Sequence, residues 1–282
     1  MQERTRFEHE RLNLDVRLPA SVPAFEYEAI EGRRRNRVRD SFSIPFRFIC
    51  HLEISYEKTR TKMGGTGTLI DRRYVLTAAH NLHTTEKLTA RRIVVSPARN
   101  GGPNSIGGLE VADYFVHRGW KRTNSARDYA LIKLKKDVAL DNFIETEWKP
   151  LGCWGDPKNG GGTSLEPLPA NQLDGRTVFV AGYPLEKNDE TNFTMSGGMG
   201  TLMGVAPNRP VHKDDVFLYY NVSTGKGESG SPVWVRDDKT NTRNLVGIHI
   251  GTGREEKGKF VSNRAVRITN QVLAQIDAWM KT

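Results

Sequence analysis

The most specific stretch of this sequence is Gly225-Lys-Gly-Glu-Ser-Gly-Ser-Pro-Val-Trp234, in which glycines flank Ser229 and an apolar run follows. Glycine permits backbone conformations that other residues avoid, so glycines around a serine free backbone N–H groups to point at one spot. The run from Pro232 to Val235 has the character of a β-strand. The stretch therefore predicts an exposed serine at a turn that leads into a strand.

Two segments farther upstream also place a reactive side chain at the edge of an apolar run. In Gly67-Thr-Leu-Ile-Asp-Arg-Arg-Tyr-Val-Leu-Thr-Ala-Ala-His80, an apolar strand ends in small residues and leaves His80 at a strand-to-loop corner. In Ala126-Arg-Asp-Tyr-Ala-Leu-Ile-Lys-Leu134, Asp128 immediately precedes an alternating strand. Taken singly, such a histidine is usually structural and such an aspartate is usually a turn cap.

Together, the three side chains can form a nucleophilic site. A serine hydroxyl is a poor nucleophile until a base takes its proton, and a carboxylate must hold the tautomer of that base. The chain order His80, Asp128, Ser229 is that of the chymotrypsin arrangement among serine hydrolases. We therefore expect Ser229 to be the nucleophile, His80 the base and Asp128 its orienting carboxylate. The N–H groups of Gly227 and Ser229 are the expected oxyanion hole.

Short apolar runs, broken by turn residues every ten or so positions, predict an all-β fold. In the first half these runs are Phe46 to Ile54, Gly67 to Ala79, Arg92 to Ser96, Leu109 to Val116 and Tyr129 to Leu134. In the second half they are Thr177 to Gly182, Gly198 to Gly204, Val216 to Val222, Pro232 to Val235, Leu245 to Ile250 and Phe260 to Arg267. Such spacing is typical of a β-sandwich or barrel. The chymotrypsin-like order of His80, Asp128 and Ser229, with the first two in one half of the chain and the serine in the other, then predicts two antiparallel β-barrels of the chymotrypsin type with a cleft between them.

Composition predicts how the chain is divided. Residues 1–31 hold four Arg against seven acidic residues, so residues 1–30 are interpreted as an N-terminal extension or pro-segment. A Gly/Pro-rich stretch between Trp148 and Pro169 indicates a linker or long loop. The first barrel, with His80 and Asp128, is expected over residues 31–150 and the second over residues 151–268. Residues 269–282 predict a C-terminal α-helix, capped by Thr269 or Asn270 and packed on the second barrel.

The charge balance bears on possible partners. The 282-residue chain has 42 Lys+Arg against 33 Asp+Glu, a net charge of +9. Its one dense basic run, Glu31 to Arg39, lacks interleaved aromatic residues, so we expect a solvated arm and no nucleic-acid partner. An acidic substrate explains a basic surface equally well. No apolar stretch approaches the roughly 18 to 20 residues that span a bilayer, so we expect no membrane partner.

Metal and cofactor sites find little support in the residue spacing. His80 and His83 have a spacing seen in metal sites, but no further ligand cluster accompanies them, and His83 is expected at the surface. Gly225-Lys226-Gly227 is not a phosphate-binding loop, because Gly rather than Ser or Thr follows the lysine. Cys50 and Cys153 cannot form a disulfide scaffold, and whether they pair stays open. We expect no metal and no cofactor.

Several quoted motifs carry a family resemblance. Leu76-Thr-Ala-Ala-His80, Asp128-Tyr-Ala-Leu-Ile132 and Gly227-Glu-Ser-Gly-Ser-Pro-Val233 resemble the signature segments of trypsin-like serine proteases. The V8-like, or glutamyl endopeptidase, branch also resembles this chain in Ile44-Pro-Phe-Arg-Phe-Ile49, Gly182-Tyr-Pro184, Val246-Gly-Ile-His-Ile250 and Ser262-Asn-Arg-Ala-Val-Arg-Ile-Thr269. The resemblance runs from about Ile30 to the C-terminal helix. Glu228 departs from it, because Asp is common there in the trypsins and Asn or Gln in the V8-like branch.

The resemblance implies a serine endopeptidase that acts on protein or peptide substrates and prefers Glu or Asp before the scissile bond. In this branch a histidine and a threonine beside the nucleophile bind the substrate glutamate, and the matching positions are His249 and Thr224. A serine protease of other specificity and a catalytically silent peptide-binding module are the alternatives. The resemblance also implies a secreted or periplasmic zymogen, whereas no signal peptide is evident, which leaves the cytoplasm open. The oligomeric state stays open as well.

Overall fold

The computed structural model describes residues 35–57, 62–84, 88–101, 106–121, 125–138, 143–144, 149–185, 194–204, 215–256 and 259–282. The predicted extension, residues 1–30, lies outside these described residues. The strands are β1 (Asn36–Arg37), β2 (Ile49–Tyr56), β3 (Lys62–Asp71), β4 (Tyr74–Thr77), β5 (Ala90–Pro97), β6 (Leu109–Val116), β7 (Ala130–Leu134), β8 (Phe143–Ile144), β9 (Lys149–Pro150), β10 (Thr163–Ser164), β11 (Thr177–Gly182), β12 (Ser196–Gly204), β13 (Phe217–Tyr220), β14 (Pro232–Arg236), β15 (Arg243–Glu256) and β16 (Lys259–Arg267). The α-helix α1 (Asn270–Met280) follows the last strand.

Strands of the first half close into a six-stranded antiparallel barrel in the order β2-β3-β4-β7-β6-β5. Closure pairs every strand on both sides and so removes exposed sheet edges. Branched and aliphatic side chains fill the interior; Leu52, Leu69, Val75, Leu131 and Ile132 are all fully buried. The pairing of β4 with β7 aligns Thr77 with Ala130, which brings the chain after β4 close to the chain before β7.

Strands of the second half form an antiparallel ring in the order β12-β11-β14-β15-β16-β13, which pairing between β12 and β13 closes. Strand β1 pairs with β12 outside this ring, and β10 pairs with β15 in parallel. A separate apolar cluster fills this barrel, and Val178, Val233 and Leu218 in it are fully buried. The predicted fold class, two antiparallel β-barrels with a C-terminal helix, is therefore confirmed.

Aromatic side chains join the two barrels. Trp154 is 1% exposed, and its ring lies 6.5 Å from Phe48 in the first half and 5.8 Å from Trp234 in the second, both edge-on. Phe179 stacks on Trp234 at 5.7 Å. Such pairs contribute about 0.5–1.5 kcal/mol each beyond the burial of their area. Because Trp154 belongs to the Gly/Pro-rich stretch, that stretch is better described as a packed long loop than as a linker.

Helix α1 begins where its N-cap was predicted, because the Thr269 hydroxyl accepts the N–H of Val272 at 3.3 Å. The helix packs on the first barrel, and the expectation that it packs on the second was wrong. Trp279 stacks on Phe115 of β6 at 6.3 Å and contacts Tyr129 at 5.6 Å. The helix buries Val272, Ile276 and Trp279, but its amphipathic pattern does not indicate which barrel this face covers.

Within the described residues, no helix has both the length and the apolar character needed to cross a membrane. Cys50 and Cys153 are free thiols, and both are buried. Burial raises the pKa of each thiol, that of Cys153 to about 12. Since the thiolate is the reactive form, these cysteines serve as small apolar core residues rather than as nucleophiles.

Candidate active site

His80 and Asp128 meet at the rim of the first barrel. His80 lies in the short 3-10 turn Ala79–Asn81 just after β4, and Asp128 lies just before β7, the strand that pairs with β4. Oδ2 of Asp128 is 2.8 Å from Nδ1 of His80, and Oδ1 accepts the backbone N–H of His80 at 2.9 Å. Asp128 is 6% exposed. Two contacts from one carboxylate fix the ring with Nδ1 toward Asp128, which leaves Nε2 as the nitrogen that can take a proton.

The loop that carries Ser229 is bonded to the same rim. The backbone carbonyl of Ser229 accepts the N–H of Thr66 at 3.0 Å and Nδ2 of Asn81 at 2.8 Å. Asn81 directly follows His80, and its Nδ2 also donates to Thr77 Oγ1 at 3.1 Å. These bonds hold the serine loop of the second barrel against the histidine turn of the first. The sequence motifs did not single out Asn81, although its position directly after His80 was a usable signal.

Gly230 permits this close approach. A Cβ atom at this position would collide with the carbonyl oxygen of Thr66 and would lie 3.1 Å from the backbone nitrogen of Ala78. Its φ of +90° also lies in the left-handed region that favours glycine. The glycine after the serine is thus required by the contact between the two barrels.

The backbone around Ser229 leaves two N–H groups available for a ligand. Gly227 has a φ of +93°. The N–H of Glu228 donates to Gly225 O at 3.0 Å, and the N–H of Gly230 donates to His249 O at 2.8 Å. Within the described part of the chain, the N–H groups of Gly227 and Ser229 donate no hydrogen bond. Their availability suits them to bind a developing oxyanion.

The predicted pocket residues His249 and Thr224 are both buried, at 0% and 1% exposure. Tyr220 Oη lies 2.6 Å from His249 Nδ1, and Asn263 Nδ2 donates to Thr224 Oγ1 at 3.0 Å. Tyr220 and Asn263 face each other across β13 and β16, so one strand pair supports both pocket residues. Sequence analysis missed these two supports. Asn263 lies inside a motif quoted for the resemblance, whereas nothing in the sequence indicated Tyr220.

Glu228 is a buried carboxylate inside the serine loop, with 1% exposure. Its Oε2 is 3.1 Å from Nη1 of Arg35 and accepts the N–H of Gly225 at 2.5 Å. Burial raises the pKa of Glu228 to about 7, although Arg35, His249 and the Gly225 N–H each act to lower it. The sequence pointed to Glu228 only as a departure from the family pattern, and it did not indicate Arg35.

His83 is half-buried rather than at the surface, contrary to expectation. Its Nε2 lies 3.2 Å from the hydroxyl of Tyr114, and the two rings meet edge-on. His83 forms an isolated bridge with Thr89, and the Tyr114 hydroxyl also donates to the carbonyl oxygen of the next residue, Ala90, at 3.4 Å. In the part of the chain that the structure describes, no group of three or more His, Cys, Asp or Glu side chains is arranged to hold a metal ion.

Comparison with known proteins gives both family and fold. The family model described as Trypsin matches residues 43–272. The glutamyl endopeptidase of Bacillus licheniformis is 28% identical over 264 residues, which are 93% of this chain and 72% of that protein. A Bacillus subtilis protein named extracellular metalloprotease is 25% identical over 266 residues, covering 93% of this chain and 73% of its own length.

A solved structure of a Glu endopeptidase in complex with MPD superposes with a TM-score of 0.67 and 21% identity, covering 90% of this chain and 100% of that one. At this identity the similarity establishes the fold alone. The match of the family model does more, because it spans both barrels and includes His80, Asp128 and Ser229. The chain belongs to the trypsin family of serine proteases.

Proposed function

We propose that this protein is a serine endopeptidase in which Ser229 is the nucleophile, His80 the general base and Asp128 the residue that orients His80. The observation that supports the proposal most directly is the 2.8 Å contact between His80 Nδ1 and Asp128 Oδ2, beside a serine loop bonded to the same turn. A carboxylate on one ring nitrogen prepares the other nitrogen to accept a proton from a serine hydroxyl.

The proposed reaction has two steps, formation of an acyl-enzyme and its hydrolysis. As Ser229 Oγ bonds to the substrate carbonyl carbon, its proton moves to His80 Nε2, and the carbonyl electron pair moves onto the oxygen. The N–H groups of Gly227 and Ser229 stabilise that oxyanion. When the C–N bond breaks, His80 gives its proton to the leaving amine, and an acyl-enzyme remains. A water molecule then attacks the acyl-enzyme in the same way, and the carboxylic acid and the free serine are released.

For specificity, we propose that the pocket takes Glu, or Asp, as the residue before the scissile bond. His249 and Thr224 are its proposed ligands, because an imidazole donor and a hydroxyl can pair with a carboxylate, and charge-assisted hydrogen bonds favour such pairing. The network from Tyr220 and Asn263 supports this by holding both groups in place. The name of the Bacillus licheniformis relative agrees with this preference.

Activity is tested by labelling with a fluorophosphonate, which reacts with an activated serine. The wild-type protein in a form beginning at Ile30 is expected to label stoichiometrically, and Ser229→Ala in the same form is expected not to label and to lose turnover by several orders of magnitude. Digestion of a mixed peptide library, read by mass spectrometry, then reports specificity. A folded wild-type protein that neither labels nor cleaves, both as the full chain and in a form beginning at Ile30, would identify a silent peptide-binding module. Cleavage after Lys, Arg or large apolar residues would reject only the acidic pocket.

For the domain organisation, we propose barrels over residues 31–150 and 151–268, with residues 1–30 as a removable pro-segment. The separate acidic composition of residues 1–31 supports removal, and a cut after Glu28 suits an enzyme that cleaves after Glu. A new terminus near Ala29 to Glu31 would supply an α-amino group with pKa of about 7.7 to 8.0 for a substrate carboxylate. Equal activity of the full chain and of a form beginning at Ile30 would reject this proposal.

A further inference from the structure

Arg35 and Glu228 form an ion pair across 193 residues of sequence, and Glu228 directly precedes Ser229. We infer that Arg35 is a positioning residue for the serine loop, residues 225–230, because its contact with Glu228 fixes the backbone that presents the N–H groups of Gly227 and Ser229. The inference rests on the proposed function. It assigns a role to a side chain from the start of the described chain, far from the three reacting groups in sequence.

Glu228 is connected to its own loop at three points. Its side chain accepts the N–H of Gly225 at 2.5 Å, its N–H donates to Gly225 O at 3.0 Å, and its carbonyl accepts the N–H of Ser231 at 2.9 Å. Gly227 and Ser229 lie between these anchored positions. Any rotation of the Glu228 side chain therefore acts on the peptide groups on both sides of it.

Burial makes this carboxylate depend on its cation. The side chain of Glu228 is 1% exposed, and that of Arg35 is 21% exposed. Removing one partner of a buried ion pair is strongly destabilising, because the charge that remains has lost its compensation. Besides Arg35, His249 is the titratable group that acts on Glu228. His249 belongs to the proposed pocket, whereas Arg35 forms the direct 3.1 Å ion pair with Glu228.

The chain on either side of Arg35 is held in place by backbone bonds. Strand β1 aligns Asn36 with Gly197 and Arg37 with Ser196 on β12, and the N–H of Val38 donates to Met195 O at 2.8 Å. Gly225 leaves room for the guanidinium, since a Cβ there would lie 2.5 Å from Arg35 Nη1. The pairing of β1 with β12 thus places Arg35 next to the serine loop.

The experiment compares Arg35→Ala, Arg35→Lys, Glu228→Gln and the double variant Arg35→Ala/Glu228→Gln with the wild type. Arg39→Ala is the matched control, because Arg39 is exposed and its contact to Asn100 uses only the backbone carbonyl. Fluorophosphonate titration counts active sites, and kcat and KM are measured per titrated site on a Glu-containing peptide substrate. A purely structural role would change the number of active sites but leave kcat per site unaltered.

We expect Arg35→Ala to lower kcat per site at least tenfold with less than a threefold change in KM, and Arg35→Lys to restore part of it. In the Glu228→Gln background, loss of Arg35 should change kcat less than threefold, because no buried charge remains to be compensated. Unchanged kcat in Arg35→Ala, or additive losses in the double variant, would overturn the inference. If Arg35→Ala fails to fold, Arg35→Lys and the Glu228→Gln pair still decide it. Absence of labelling in the wild type, both as the full chain and in a form beginning at Ile30, would overturn the proposed function itself.

Discussion

The hydroxyl of Tyr220 lies 2.6 Å from Nδ1 of His249, and both side chains are fully buried. When Nδ1 accepts the tyrosine proton, the ring proton resides on Nε2, and Nε2 becomes a donor. A donor is what a substrate carboxylate requires. The tyrosine would therefore select the tautomer that suits an acidic substrate, without touching the substrate itself.

Tyr220→Phe removes only the hydroxyl, so we expect it to weaken the response to acidic substrates specifically. The value of kcat/KM for a Glu substrate should fall about tenfold, or ~1.4 kcal/mol, and that for an Ala substrate should stay within threefold. Tyr219→Phe is the control, since Tyr219 is only partly buried and alternates along β13 with the buried Leu218 and Tyr220. An equal loss on both substrates would show that Tyr220 acts on stability rather than on His249.

His249→Ala removes the proposed carboxylate donor. We expect cleavage after Glu to fall about a hundredfold, because a charge-assisted hydrogen bond in a buried site is lost, and cleavage after small neutral residues to fall far less. The measurement is kcat/KM on paired peptides that differ only in the residue before the cut. An equal loss of activity on both peptides would show that His249 has a structural role in the core rather than a role in the pocket.

Asp128→Asn keeps the shape of the side chain but favours the wrong tautomer of His80, since an amide NH₂ can replace the acceptor that faces Nδ1. We expect kcat to fall by about 10⁴-fold, the size of this effect in a serine protease. Asp137→Asn is the control, because Asp137 takes no part in the His80–Asp128 contact and its ion pair with the exposed Arg72 is long, at 3.9 Å. A rate within tenfold of the wild type in Asp128→Asn would reject the assigned mechanism.

Periodicity located strands well where turn residues mark their ends. The runs Leu109–Val116 and Thr177–Gly182 coincide with β6 and β11. In contrast, Gly67 to Ala79 was taken as one run, and the structure divides it into β3 and β4 at a tight turn. The carboxylate of Asp71 accepts the N–H of Arg73 at 3.2 Å and so stabilises this turn without Gly or Pro. Two arginines between apolar residues gave no warning of it.

The residues of the candidate site also differ in how well the sequence predicts them. His80, Asp128 and Ser229 each lie in a short motif whose local chemistry is legible in sequence. Tyr220 and Arg35 contact residues that are distant in sequence and that only strand register and barrel closure bring close to them. Local sequence patterns therefore could not predict the roles of these two residues. The sequence also could not predict which barrel α1 covers, because that depends on the tertiary packing of Trp279.

His51 provides a test of stability that is independent of catalysis. Its side chain is 1% exposed, lies edge-on to Tyr183 and has Nδ1 3.2 Å from Nη1 of Arg99. Burial, and secondly the charge of Arg99, lowers the pKa of His51 from 6.5 to about 3. The folded state thus keeps the imidazole neutral over a pH range in which the unfolded chain protonates it.

A depressed histidine pKa means that the unfolded state binds more protons, so the free energy of unfolding falls as pH drops from about 6.5 toward 3. This group alone contributes a slope of up to about 1.4 kcal/mol per pH unit. Glu228 has the opposite effect, since its raised pKa makes the free energy of unfolding fall as pH rises from 4.5 to about 7. The contributions of His51 and Glu228 are therefore distinguished by substituting His51. We expect His51→Gln to be less stable than the wild type at pH 7 but to lose less stability between pH 6.5 and 4.5, as measured by urea unfolding. Parallel curves for the two proteins over this range would show that His51 is not the neutral buried group responsible.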